Sequence, residues 1–173
     1  MKTSAITRRA IVAIIAVLTG LLIAGSVCAG QGKEDSTGKN VTPPAKVLTA
    51  FRAKFPTSVI VKQTMEKEDG REVYDIEFTQ GGVKHEADLS ADGTFLNWEK
   101  ALAASELPAP VTKALLKKYP KAVIKEAMAV TEVKGGRETL EGYEIMLTMA
   151  DKKEQEDMVA PDGKFIEEDG DED

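Results

Sequence analysis

Few residues of this chain are suited to catalysis. The 173 residues include one histidine, His85, and one cysteine, Cys28. A single histidine without a paired nucleophile cannot form a catalytic triad, and it cannot supply the three protein ligands of a catalytic zinc site. His85 alternates with apolar Val83 and Ala87, which indicates a histidine packed on the inner face or rim of a sheet. The sequence therefore predicts a protein that is not an enzyme and that has no cofactor or metal.

Carboxylates are the most frequent reactive groups, and they concentrate in two places. The chain has 29 Asp and Glu against 23 Lys and Arg. One cluster lies in a predicted hairpin and the other at the end of the chain: Glu66, Glu68, Asp69 and Glu72, and Glu167, Glu168, Asp169, Asp171, Glu172 and Asp173. Their oxygen atoms are suited to calcium, but neither cluster has the spacing of an EF-hand loop. We interpret both as solvated acidic surface, with calcium binding as the alternative.

Two side chains are candidates for contact with a partner protein. Trp98 is the only tryptophan, and tryptophan is frequent in binding hot spots. The alternative is that it fills the seam between the two repeats. The second half of the chain contains four methionines, Met128, Met146, Met149 and Met158. Alternation places Met146 with Glu144 and Thr148 on the wet face of a strand, where a polarizable side chain suits an adaptable contact. Trp98 and Met146 are the predicted partner-binding residues.

The elements that position these residues come from a tandem repeat. Each copy has a helical segment that ends at a proline, then a strand that begins with tyrosine, then an Asp-Gly turn followed by phenylalanine. The matching segments are residues 47–56 and 111–120, 74–78 and 143–147, and 92–95 and 162–165. Repetition of a small unit is the signature of a repeat architecture.

Each copy predicts a helix followed by antiparallel strands. The apolar residues of the first segment fall on one helical face, and those that follow alternate with polar residues. We predict an α+β fold with two tandem copies of a helix packed on a four-stranded antiparallel β-meander. The predicted units are a disordered linker (30–42), the first repeat (43–100), a connector (101–107), the second repeat (108–169) and an acidic tail (170–173).

Residues 1–29 have the pattern of an export signal. Three positive residues precede an uncharged apolar stretch over residues 10–27, and Val27-Cys28-Ala29 offers a cleavage site after Ala29. The alternative is a lipoprotein anchored through Cys28, although a lipoprotein signal usually has a smaller residue before the cysteine than Val27. We expect a periplasmic or secreted protein without stable membrane insertion once the signal is removed.

The repeated motifs resemble a known family. A helix that ends in aromatic-Pro, a Tyr-x-Ile-x-apolar strand and an Asp-Gly-x-aromatic turn resemble the PepSY-like domains of bacterial envelope proteins, a group similar to the repeats of beta-lactamase inhibitory protein. The resemblance covers about residues 43–169. It implies an exported, non-enzymatic module that binds or inhibits another protein. The chain has Lys62 and Lys125 where these domains often carry tryptophan. It also lacks the aromatic-rich surface and the disulfides of the beta-lactamase inhibitor. Inhibition of beta-lactamase itself is therefore not expected.

These observations predict an exported protein-binding module. The partner is expected to be another envelope or secreted protein, and inhibition of an enzyme such as a peptidase is one form that this binding could take. The alternative is a periplasmic protein that binds a small ligand or a cation such as calcium. Nucleic acid is not an expected partner, because the acidic surface repels phosphate.

Overall fold

The computed structural model describes residues 39–68 and 70–166, which contain two α-helices, a short 3-10 helix and nine strands. The predicted signal peptide, most of the predicted linker, and the acidic tail lie outside the described residues. The helices are α1 (Ala45–Lys54) and α2 (Ala109–Lys118), and the 3-10 helix is Ala104–Glu106. The strands are β1 (Lys39–Asn40), β2 (Val59–Glu68), β3 (Arg71–Gln80), β4 (Val83–Ser90), β5 (Phe95–Ala101), β6 (Val123–Lys134), β7 (Arg137–Thr148), β8 (Glu154–Val159) and β9 (Phe165–Ile166).

All nine strands form one antiparallel sheet, in the order of the chain. The α+β class is confirmed, but the division into two four-stranded meanders is wrong. Strand β5 continues through Ala101 and pairs with β6, with Ala101 opposite Met128 and Asn97 opposite Glu132. This pairing satisfies backbone groups that two separate sheets would leave exposed at their edges. The predicted connector is therefore short, and Ala101 belongs to the sheet.

Both helices pack on the same side of the sheet, which we call the covered face. Each helix follows a proline and ends at an aromatic residue, where Phe55 N–H donates to Phe51 at 2.8 Å and Tyr119 N–H donates to Leu115 at 2.7 Å. The first core contains Val47, Phe51, Phe55, Tyr74, Ile76, Phe78, Ala87 and Leu89. The second contains Leu107, Val111, Leu115, Ala127, Tyr143, Ile145, Leu147 and Val159.

The only histidine belongs to the first core. His85 is 7% exposed and stacks on Phe78, with 5.1 Å between ring centroids. Its Nδ1 atom lies 3.0 Å from the carbonyl oxygen of Val83. The prediction of a packed histidine is confirmed.

The repeated Asp-Gly turns attach each sheet segment to its helix. Gly93 and Gly163 both have φ of +89°, a conformation that glycine adopts without a steric penalty. A Cβ atom on Gly93 would lie 2.8 Å from the carbonyl oxygen of Lys46, and one on Gly163 would lie 2.6 Å from that of Pro110. Glycine is therefore required for both the turn and the close approach of the helix.

Order begins earlier than the sequence predicts. Lys39 and Asn40, which the predicted linker includes, form β1 opposite Met65 and Thr64. The backbone N–H of Val41 donates to Gln63 at 3.2 Å. Backbone pairing with β2 holds this segment, and its polar composition gives no sign of such pairing.

Candidate binding face of the sheet

The side of the sheet opposite the helices, which we call the open face, has no described element packed on it. Its side chains are those that alternate with the core residues along each strand. Carboxyl groups dominate its centre, from β3 to β8: Asp75, Glu77, Glu86, Asp88, Glu99, Glu126, Glu144 and Glu156. This concentration of acids makes the open face the candidate functional surface.

Several of these acids stand directly opposite one another. Asp75 on β3 is paired with Asp88 on β4, and Glu86 on β4 is paired with Glu77 on one side and Glu99 on the other. Like charges at opposed positions destabilise a sheet. Folding alone therefore does not account for this arrangement.

Hydrogen bonds satisfy only part of the Asp75 and Asp88 pair. Thr64 donates to Asp75 at 3.1 Å, and Asn97 donates to Asp88 at 2.9 Å. Burial and the charge of Glu86 raise the pKa of Asp75 to about 7. Burial and the charge of Asp75 raise the pKa of Asp88 well above its ordinary range. Both groups therefore hold protons more strongly than an exposed aspartate does.

Burial also raises the pKa values of two glutamates nearer the second repeat. Burial and the charge of Glu86 raise the pKa of Glu99 to about 8. Burial, the charge of Glu99 and a hydrogen bond to Glu156 raise the pKa of Glu144 to about 10. At neutral pH the open face is thus less negative than its composition indicates, and it holds protons that a cation could displace.

Lysines neutralise a minority of these groups. Lys62 lies 2.9 Å from Glu77. Lys84 lies 2.8 Å from Glu86 and 2.7 Å from Glu126, and the second contact connects β4 with β6 across β5. Burial lowers the pKa of Lys84, but its hydrogen bonds to Glu126 and Glu86 outweigh burial and the net shift is upward.

Two shallow depressions interrupt the open face. The one we call the central cleft spans the junction of the repeats and is lined by Lys84, Glu86, Glu126, Met128, Glu144 and Met146. The other lies within the first repeat and is lined by Glu66, Glu68, Val73, Asp75 and Asp88. The central cleft combines carboxyl groups with two thioethers, a pairing suited to a side chain that is both cationic and partly apolar.

The predicted acidic clusters are only partly brought together. Glu66 and Glu68 line the second depression, whereas Glu72 lies on the covered side and accepts a hydrogen bond from the hydroxyl of Tyr74 at 3.0 Å. Asp69 and the acidic tail lie outside the described residues. Within residues 39–68 and 70–166, no three acidic or histidine side chains are arranged to hold a metal ion.

The two predicted partner-binding residues lie on opposite faces. Met146 lines the central cleft on the open face. Trp98 pairs with Ala87 and Thr131 on the covered side, with its ring 6.1 Å from that of Phe55. The structure therefore brings Met146, but not Trp98, to the acidic surface.

Trp98 lies beside a contact between the repeats. The Nζ atom of Lys54, at the end of α1, is 5.4 Å from the centroid of the Trp98 ring. Lys54 also forms a hydrogen-bonded ion pair with Glu138 on β7. The hydrogen bond from Lys54 lowers the pKa of Glu138. This position agrees with the interpretation of Trp98 as a seam residue.

Sequence reasoning missed the acids of the open face because it looked for clusters along the chain. Asp75, Asp88, Glu99 and Glu144 are far apart in sequence and meet only through strand pairing. The sequence feature that could have revealed them is the alternation of polar and apolar residues, because it places carboxylates at the solvent-facing positions of consecutive strands.

Comparison with known proteins finds solved structures of similar fold. No protein family model matches the chain, and no curated protein matches it. A structure described as a periplasmic protein of Bacteroides eggerthii is 15% identical, covers 73% of this chain and 88% of its own, and has a TM-score of 0.59. A DUF2874 family protein from Bacteroides uniformis is 16% identical with the same coverage and a TM-score of 0.58. A BLIP-like protein from Bacteroides fragilis is 15% identical, covers 77% and 92%, and has a TM-score of 0.53.

These likenesses support the resemblance to beta-lactamase-inhibitory-protein-like exported proteins at the level of fold. The assignment to PepSY-like domains stays a prediction. None of the described helices is long and apolar enough to span a membrane. The proposed cleavage site after Ala29 also stays a prediction, since it lies outside the described residues.

Proposed function

We propose that this chain is an exported, non-enzymatic module that binds another protein through the open face of its sheet. The observation that carries the proposal is a sheet with helices on one side only and opposed carboxyl groups on the other, among which Asp88 and Glu99 are buried. Opposed, partly desolvated acids weaken the free protein. Such an unfavourable arrangement is typical of a functional surface.

The partner we propose is an envelope or secreted protein with a basic surface. The chemistry of the open face supports this choice, since the eight carboxyl groups at its centre outnumber Lys62 and Lys84, the two lysines that form ion pairs with Glu77, Glu86 and Glu126. Electrostatic complementarity speeds association and excludes partners of the wrong charge. The finer form of the proposal is that the partner is an enzyme, such as a peptidase, whose activity the bound module inhibits. A BLIP-like neighbour supports that form by analogy of fold.

The position of His85 supports the non-enzymatic part of the proposal. The side chain is buried on the covered face against Phe78, whereas the acids of the candidate surface lie on the open face. A general base must reach its substrate, and this imidazole is enclosed by the first core.

Photo-crosslinking in the native cell envelope tests the proposal. A photoreactive amino acid replaces Met146 or Lys62 on the open face, and Leu116, which is 62% exposed on α2, serves as the matched control. We expect one dominant protein to be linked from positions 146 and 62 and not from position 116. Linkage from position 116 alone, or from none of the three positions, would contradict the proposal.

A further inference from the structure

The central cleft already accommodates one primary ammonium group. Lys84 extends between Glu86 on its own strand and Glu126 on β6, at 2.8 and 2.7 Å. Its small neighbour on the intervening strand is Ala101, which pairs with Met128 on β6. The cleft therefore has the ligand chemistry for a basic side chain that lies across the strands.

Glu99 lies beside this cleft, and the charge of Lys84 acts on it without an ion pair between the two side chains. It is only 6% exposed, and it lies between Glu86 and Val130 in the register of the sheet. Among the described residues no side chain or backbone group forms a hydrogen bond or an ion pair with its carboxyl group. A buried polar group without a partner is costly in the free protein.

Glu144 is the second acid that Lys84 does not satisfy. It lines the cleft between Met128 and Met158 in the register, and the charges of Glu99 and Glu144 are close enough to influence each other. Met128 and Met146 border the same space. Their thioethers can cover the flat face of a guanidinium group while the glutamates accept its hydrogen bonds.

We propose that the central cleft is the anchor site of the open face and that it receives one arginine side chain of the partner, which pairs with Glu99 and Glu144. This inference rests on the proposed function, because it names the group of the basic partner that the open face recognises. A planar guanidinium suits the site better than an ammonium group, because it donates in two directions and is more weakly hydrated.

Proton release is the consequence that can be measured. Glu99 and Glu144 hold their protons at neutral pH in the free protein, because burial and neighbouring acids raise the pKa of each group. An arginine that pairs with them favours the ionised forms, so binding releases protons and becomes tighter as pH rises. For each proton released, affinity is expected to rise by up to about tenfold per pH unit.

Other titrating groups of the same face contribute to this dependence. They are Asp75 and Glu77 on β3, Lys84, Glu86 and Asp88 on β4, Glu126 and Glu132 on β6, and Glu154 and Glu156 on β8. Variants of Glu99 and Glu144 are therefore needed to assign the released protons to the cleft.

The experiment uses the full chain with labelled methionine methyl groups and a short basic peptide with one central arginine. The matched probe is the same peptide with citrulline, which has the shape of arginine without its charge. We expect the arginine peptide to shift the Met128 and Met146 signals, with binding at least about fivefold tighter at pH 8.5 than at pH 6.5. The double variant Glu99→Gln with Glu144→Gln should lose both the tight binding and its pH dependence. Glu72→Gln, on the covered side, should change neither.

Three results would overturn the anchor site: equal shifts from the citrulline peptide, no shift of either methionine, or an unchanged pH dependence in the double variant. A larger response to calcium ions alone would replace it with a cation site. Crosslinking at position 62, which lies on the open face outside the central cleft, separates this failure from failure of the proposed function. If the partner is still linked equally to the wild type and the double variant at both pH values, the open face binds without this anchor. If the wild type is not linked, the proposed function itself is wrong.

Discussion

The two repeats agree on the covered face and differ on the open face. Matched core positions are apolar in both copies: Val47 and Val111, Phe51 and Leu115, Ile76 and Ile145, Phe78 and Leu147, and Leu89 and Val159. Matched open-face positions change in character: Thr64 and Met128, Glu77 and Met146, and Asp88 and Met158. The first repeat is mainly acidic on this face, whereas the second combines acids with methionines.

This difference separates what the fold requires from what it leaves free. Side chains under a helix must fill a close-packed volume, so both copies keep the same type of residue there. The open face has no such requirement, and its two halves have diverged into surfaces of different chemistry. The central cleft lies where these halves meet, with Lys84 and Glu86 from the first and Met128 and Met146 from the second.

The largest expected effects test whether the repeats are one folding unit. Phe78 and Leu147 occupy matched positions and are both fully buried. Phe78→Ala should lower the free energy of unfolding by about 3–5 kcal/mol and Leu147→Ala by about 2–5 kcal/mol. Because one sheet joins the repeats, each variant should shift a single urea transition seen equally by circular dichroism and by Trp98 fluorescence. Separation of the two signals would show that the repeats unfold independently.

The next effect tests whether both turns attach to their helices in the same way. Gly93 and Gly163 both have a positive φ, which an alanine would adopt only with strain. In Gly93→Ala and Gly163→Ala the added Cβ atom would also lie within 2.8 Å of a helix carbonyl oxygen. Each should destabilise the protein by about 2–3 kcal/mol. Gly82→Ala is the control, since it has a φ of +80° but open space around it, and it should cost only about 1 kcal/mol. Thermal unfolding of the three variants gives the comparison, and equal costs would argue against the close approach.

A smaller effect tests the acidic half of the open face. Because the pKa of Asp88 is raised in the folded state, the fold holds a proton that the unfolded chain releases. The stability contributed by that proton is complete below about pH 4, the ordinary range of a carboxyl group, and is lost as pH rises through the folded pKa. Asp88→Asn should therefore have no effect near that pH and should stabilise the protein by about 1–2 kcal/mol at pH 9.

Asp92 provides the control of opposite sign. Hydrogen bonds from Ser90 and Thr94 lower its pKa to about 2. Its contribution is therefore present above the ordinary carboxyl range and lost as pH falls through about 2. Asp92→Asn should lower the free energy of unfolding at neutral pH and leave it unchanged below about pH 2. Urea titrations from about pH 2 to about pH 9 distinguish the variants. The same sign for both would contradict the assignment of a buried proton to Asp88.

The smallest effect concerns the lysines at the ends of the helices. Lys54 pairs with Glu138 of the other repeat, and Lys118 pairs with Asp157 of its own repeat at 2.9 Å. Both pairs are partly exposed, so a double-mutant cycle should give about 0.5 kcal/mol for each. Loss of the Lys54 pair should also change the fluorescence of Trp98, whereas loss of the Lys118 pair should not. A coupling energy near zero for the Lys54 and Glu138 pair would show that this contact does not stabilise the association of the repeats.

The sequence by itself determined the local elements. Prolines and aromatic residues fixed the ends of both helices, alternation gave the strands and put Met146 on the wet face, and Asp-Gly fixed the closing turns. These signals depend on residues close together in the chain, where sterics and side-chain periodicity act directly.

Only the tertiary structure decided how those elements combine. The pairing of β5 with β6 made one sheet from two repeats, and it put Glu99 beside the acids of neighbouring strands. Strand pairing depends on contacts between distant segments and on the burial that results, and neither is encoded in any single stretch of residues. The same burial raised the pKa of Glu99 and Glu144, so the chemistry of the open face exists only in the folded chain.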